Sequence, residues 1–261
     1  MAWWGKALGG AFGFMIGGPL GALMGIAFGH NFDRGMGSLG GGSQADQERI
    51  QAAFFTATFS VMGYIAKADG QVTADEIKLA EAVMDRLGLD PEMRKSARTL
   101  FNEGKSRNFP FDEVLLQFRK ESHRRGTLMQ MFLEIQLQAA YADGVMHPAE
   151  RAVLEDICGH LGIHLSQLDR LEEMLHAGFG RAGYQSTAAA KTTLKDAYAI
   201  LGIDASASDA EVKKTYRRLM SQHHPDKLVA KGLPEEMIQD ATEKTQQIRS
   251  AYDQVRKSRA S

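Results

Sequence analysis

Between residues 47 and 178 apolar side chains recur three and four positions apart, the spacing of one helix face, and no stretch alternates apolar with polar residues as a half-buried strand would. The pattern predicts seven helices: Gln47 to Ala66, Ala74 to Arg86, Pro91 to Lys105, Phe111 to His123, Thr127 to Ala142, Ala149 to Leu161 and Leu165 to Gly178. A central all-α domain over residues 47–179 is expected. Within it Ala68-Asp69-Gly70-Gln71-Val72, Glu76 and Leu87-Gly88 return as Ala142-Asp143-Gly144-Val145-Met146, Glu150 and Leu161-Gly162, each 74 residues on. This is an internal duplication. In each half an apolar helix runs into Asp-Gly and a new helix starts near Thr73 or Pro148, because Thr caps a helix well and Pro fits its first turn.

The first thirty residues follow a different pattern. Ala7 to Gly29 holds no charged residue, and 23 residues at helical rise cover about 34 Å against a hydrocarbon core of about 30 Å. A transmembrane helix over residues 7–30 is expected, behind a short external N-terminus. Gly9, Gly13, Gly17, Gly21, Gly25 and Gly29 stand at every fourth position, so they line one stripe along which two such helices approach closely. That stripe predicts self-association, a homodimer through the span. Trp3, Trp4 and Lys6 anchor one end and Asp33 with Arg34 the other, while Pro19 introduces a kink. The alternative is a cleaved signal peptide with Ala27-Phe28-Gly29 as a poor cleavage site. Glycine-rich linkers are expected at 31–46 and 180–193.

At the other end, Val212, Tyr216 and Leu219 share a helix face, flanked by the cations Lys213, Lys214, Arg217 and Arg218. Ile248, Tyr252 and Val255 repeat that spacing, so two helices can pair their apolar faces as an antiparallel hairpin. His224-Pro225-Asp226 lies between them, followed by Lys227. Pro225 has no N–H and drives His224 out of the helical region, which ends the first helix and holds His224 and Asp226 outward.

With Asp196-Ala197-Tyr198-Ala199-Ile200-Leu201-Gly202 before the basic helix and Ile248, Ala251 and Tyr252 after the loop, the last 70 or so residues resemble the J domain of the DnaJ co-chaperones. The chain departs from that family at Thr245, where an aromatic residue is usual, and in the longer, more apolar Leu228 to Met237 stretch. The resemblance implies a partner: a DnaK-type chaperone bound in its ATP state, whose hydrolysis is stimulated. His224, Pro225 and Asp226 would carry the trigger contacts. Lys213, Lys214, Arg217, Arg218 and Lys227 would meet an acidic face on DnaK, an attraction that salt weakens.

The duplicated middle resembles the tellurite-resistance TerB fold. Asp69, Glu76, Asp143 and Glu150 are therefore candidate ligands of a hard divalent cation, which prefers oxygen. The competing reading is structural: Asp before Gly is ordinary turn chemistry, and Glu early in a helix complements its dipole. His160 and His164 are four apart but lack the Glu of a zinc-protease helix, so they read as helix-terminal residues. Cys158 beside Ile157 reads as a buried thiol, and Leu128, Met129, Met131, Phe132 and Ile135 read as core.

Composition narrows the remainder. A net charge of -1 over 261 residues, with 44% apolar and 24% charged, gives no field for nucleic acid. A single cysteine excludes a disulfide framework and the paired-cysteine zinc modules of longer DnaJ proteins, and suits a reducing compartment. No nucleophile stands with a base, so the chain reads as no enzyme, and no cofactor is required. The order of span, TerB-like domain and terminal J domain is similar to that of membrane-anchored DnaJ-like co-chaperones. That resemblance implies DnaK recruitment at the cytoplasmic face of the inner membrane, N-terminus outside, with a role in envelope-stress signalling and capsule synthesis. The alternative is a metal-binding or tellurite-response membrane scaffold.

Overall fold

Several helices begin where the sequence supplies a cap, at Thr73, Asp90, Thr193 and Ser208. The computed structural model describes residues 18–23, 43–68, 70, 73–123, 125–177, 193–226 and 238–259; among these it is all-α, without a strand. The helices are α1 (Ser43–Ile65), α2 (Ala74–Arg86), α3 (Pro91–Gly104), α4 (Phe111–Glu121), α5 (Gly126–Ala140), α6 (Pro148–Leu161), α7 (Leu165–His176), α8 (Leu194–Leu201), α9 (Asp209–His223) and α10 (Ile238–Arg259). They fall into two compact units, Met1–Ile163 and His164–Ser261.

In the first unit α1 is the central helix, packed by α3, α4 and α5, and α6 closes against α4 and α5. Phe54, Phe59, Met62 and Ile65 are all but inaccessible, as are Phe118 of α4 and Phe132 of α5. The Phe118 ring sits 6.2 Å from Phe54 and 4.8 Å from Phe132, tilted against both. The closest helix approach is α1 on α3. A Cβ on Gly63 would collide with the Phe101 carbonyl, and one on Gly104 with the Ser60 carbonyl, so only glycine lets these two backbones meet. Cys158, Leu128, Met131, Phe132 and Ile135 are core, as the pattern predicted.

The duplication is built into the backbone. Thr73 caps α2 and His147 caps α6, with Glu76 and Glu150 at the equivalent third helical positions. Gly70 and Gly144 both have φ of 96°.

Most ends agree with expectation to within two residues, and the start of α1 departs most. α1 starts at Ser43, four residues before Gln47, since Ser-Gln-Ala-Asp enters a helix readily with Asp46 in its early turns. α7 is grouped with the second unit, and its stripe of Leu168, Leu171 and Leu175 marks a buried face without specifying which core it joins. Of the expected span only residues 18–23 are described; they are helical, bury Leu20 and Leu23 and donate the Leu20 N–H to Gln117 Oε1 of α4 at 2.9 Å. No helix among the described residues is long and apolar enough to cross a membrane. Gly9, Gly13, Gly17, Gly25 and Gly29 lie outside the described residues, and Gly21 lies within this turn.

In the second unit α10 packs along α8 and α9, and α7 packs on α8. Val212 and Leu219 of α9 and Ile248, Ala251 and Val255 of α10 form the apolar seam with Ala197, Ile200 and Leu201 of α8.

Candidate functional site

α9 carries the site, and its first turn is locked. The Ser208 N–H and hydroxyl donate to Glu211 Oε2 at 2.7 and 2.8 Å, and the Glu211 N–H returns to Ser208 Oγ at 3.3 Å. Those bonds, the backbone one first, hold the Glu211 carboxyl below its usual range. At the far end His224 turns to φ -64°, ψ 123°, extended backbone, as a residue before proline must. The side chains of His224 and Asp226 are 46% and 90% exposed, with Nδ1 and Oδ2 4.0 Å apart. His223, one residue earlier, is buried. The chain thus turns from core to solvent within a single step.

The hairpin beneath is fixed by Tyr216 and Tyr252, whose rings stack. Lys213, Lys214, Arg217 and Arg218 are all exposed along α9. Lys227, the expected fifth cation, lies outside the described residues, as does the Leu228 to Met237 stretch. Thr245, the departure from the family pattern, donates its hydroxyl to the Thr242 carbonyl at 2.8 Å and so satisfies itself within α10.

The central carboxylates are spent locally. Glu76 accepts from the Thr73 N–H and hydroxyl at 2.6 and 2.9 Å, and Glu150 accepts from the His147 N–H at 2.8 Å. Both are buried, at 9% and 4% exposure. Burial pushes the Glu150 carboxyl up to about 7; the His147 N–H opposes that, while the charges of Glu76 and Asp143 add to it. Asp143 takes the Val145 N–H at 3.0 Å, an Asx turn. Asp69 is outside the described residues. No three His, Cys, Asp or Glu side chains among the described residues gather in a way that could hold a metal ion. His160 meets the Asp156 carbonyl at 2.8 Å and Asp112 at 3.2 Å, and His164 caps α7 by accepting the Ser166 N–H, so each has a structural task.

Three family profiles match in tandem: co-chaperone DjlA transmembrane domain over residues 1–48, tellurite resistance protein TerB over 55–173, and DnaJ domain over 196–260. The chain is 44% identical to the co-chaperone protein DjlA of Photobacterium profundum, over 97% of this chain and 98% of that one. It is 43% identical to that of Yersinia pestis, 98% of each covered, and 44% identical to that of Coxiella burnetii, over 100% and 99%. The chain belongs to the DjlA co-chaperone family. No solved structure matches it.

As a member of the DjlA family it is a J-domain co-chaperone with a TerB-like middle and an N-terminal segment of the transmembrane type. The DjlA transmembrane profile runs to residue 48 and so takes in the expected span, the glycine-rich stretch after it and the first residues of α1.

Sequence reasoning missed two residues of the second unit of this DjlA-family chain. Arg259 donates from Nε to Tyr198 Oη at 2.9 Å, from Nη1 to Asp209 at 2.8 Å and from Nη2 to the Ala205 carbonyl at 3.0 Å, clasping α8 and the turn before α9. A terminal arginine in a basic helix gives no sign of this. Arg170 of α7 passes its stem against Gly202, the C-cap of α8, where a Cβ would stand 3.2 Å from Arg170 Cδ. The domain boundary drawn through the linker concealed it.

Proposed function

We propose that the chain recruits a DnaK-type chaperone to the cytoplasmic face of the inner membrane and stimulates its ATP hydrolysis, itself catalysing nothing. One observation carries the reading: His224 leaves the helix at Pro225 and stands with Asp226 in solvent, on a hairpin whose seam is dry. A rigid tip of that kind engages a partner with little ordering cost. The exposed row Lys213, Lys214, Arg217 and Arg218, with Lys227 beyond it, steers an acidic face toward the tip.

The N-terminal segment supplies the tether, which confines the partner's activity to clients at that membrane through effective concentration. The glycine stripe pairs two chains. The clients belong to envelope-stress signalling and capsule synthesis, as the resemblance to membrane-anchored co-chaperones implies. The metal or tellurite-response reading has support only in the family name of the middle domain; Glu76 and Glu150 are engaged as caps.

The test is single-turnover ATP hydrolysis by the DnaK-type chaperone with the full chain in bilayers. Wild type should accelerate it and His224→Gln should not, at unchanged melting temperature. Equal stimulation by the two would remove the tip from the mechanism.

A further inference from the structure

The Leu20 N–H is bonded in a way that a membrane span does not allow. It donates to Gln117 Oε1 on α4 at 2.9 Å, whereas in a continuous α-helix it would return to the Ile16 carbonyl, four residues back. The two residues before it agree with that interruption. Gly18 has φ 62°, left-handed backbone that a right-handed helix does not contain, and Pro19 suits a helix start because it has no N–H to satisfy. Gly18 also lets the glutamine in: a Cβ there would stand 3.0 Å from the same Gln117 Oε1. Leu20 and Leu23, one helical turn apart, are 2% and 5% exposed, so the segment is seated on protein and not held out in solvent.

That seat and a place in the bilayer exclude each other. α4 carries Asp112 and Glu113 in its first turn and Arg119 and Lys120 in its last, so it stays in water and cannot follow residues 18–23 into hydrocarbon. Inside hydrocarbon every backbone N–H must be satisfied within the span, so Leu20 has to exchange the Gln117 carboxamide for a carbonyl of its own helix. Gly18 has to leave its left-handed conformation in the same step. One bond to α4 and one dihedral of the segment therefore change together, which makes the two arrangements discrete.

We propose that the N-terminal segment has two alternative seats, the bilayer and the α4 face at Gln117, and that α4 holds residues 18–23 until a lipid membrane takes them. This rests on the N-terminal tether proposed above and adds to it a holding site in the TerB-like domain, outside the residues that the transmembrane profile matches. Gln117 is the holding group. Gly18 is the position whose conformation suits the α4 seat and not the spanning helix.

The experiment titrates the full chain with phosphatidylcholine vesicles and reads the fraction that floats with them. Gln117→Ala removes the acceptor and leaves the span untouched, so half of the chain should bind at about one fifth of the lipid that wild type needs, the worth of one hydrogen bond. Gly18→Ala should shift the titration the same way, because alanine disfavours φ 62° and favours a continuous helix. With the seat already lost in the Gly18→Ala chain, Gln117→Ala should add nothing there. Leu116→Ala, at an exposed position of α4, is the control and should leave the titration where it is. Should Gln117→Ala not fold, Gln117→Asn is read in its place, its carboxamide one methylene short of the Leu20 N–H, with a shift in the same direction. If wild type binds vesicles and Gln117→Ala binds them no better, or if the two substitutions simply add, this inference is overturned and the tether stands. Wild type that does not float overturns both.

Discussion

Tyr216 and Tyr252 stack nearly face to face, with ring centroids 4.1 Å apart and planes 13° from parallel, and so join the two helices that hold the tip in place. Both are half-buried, and Arg256 lies 5.8 Å from the Tyr252 ring centre on α10's outer side. The stack closes the edge of a seam whose centre, Val212, Leu219, Ile248 and Val255, is already dry.

Removing either ring should loosen the hairpin. Tyr216→Ala and Tyr252→Ala are each expected to cost about 2 kcal/mol, and the double variant less than the sum by about 1 kcal/mol, the coupling of an aromatic pair. A double-mutant cycle in urea measures it. Strict additivity would mean that the rings are neighbours without being partners.

Arg259 serves the same unit from its other side. Arg259→Lys should not replace arginine, because one ammonium cannot reach Tyr198, Asp209 and the Ala205 carbonyl together. Faster amide exchange over residues 194–209, with α10 otherwise protected, is the expected readout.

At the crossing of α1 and α3, Gly63→Ala and Gly104→Ala place a methyl group against a backbone carbonyl that cannot move aside. Each should destabilise the first unit by about 2–4 kcal/mol, the usual cost of overpacking a core at a fixed backbone, and thermal unfolding will report it. Gly159→Ala, with nothing near its Cβ, is the control and should be neutral or better, since alanine favours a helix.

Glu150 makes the first unit sensitive to pH. Its folded pKa is about 7 against an ordinary 4.5, so between those values the folded chain holds more protons than the unfolded one. Stability from this group is therefore full below about pH 4.5 and is lost as pH rises through about 7, by at most about 3 kcal/mol. Asp143, His147 and Glu76 are the charged groups that face it. Glu150→Gln keeps an acceptor for the His147 N–H and removes the charge. Its urea midpoint should exceed that of wild type at pH 8 and equal it at pH 4; a difference that is the same at both values would rule out ionisation as the cause.

Much of this was legible beforehand. The starts of α2, α3, α4 and α7 coincide with the positions that apolar periodicity and caps indicate, α6 starts one residue earlier at Pro148, and Pro225 does to His224 what a proline does to its predecessor. What was not legible depends on residues far apart in the chain. Thr73 and Glu76 announce a cap, but nothing in one half of the duplication says that Glu76 will lie near Glu150. A buried stripe at Leu168, Leu171 and Leu175 says that α7 packs, not on what. Arg170 and Gly202 are far apart in the chain, and only the fold lays the arginine's stem against that glycine.

The doubled middle segment carries an electrostatic inheritance. When a stretch with a capping glutamate is copied and the copy folds back on the original, each carboxylate acquires a negatively charged twin, and what was a routine helix start becomes half of a mutually repelling couple. The charge of Glu76 thus makes Glu150 harder to ionise. Burial remains the larger cause of the proton that Glu150 retains near neutrality, and the charge of its twin adds to it.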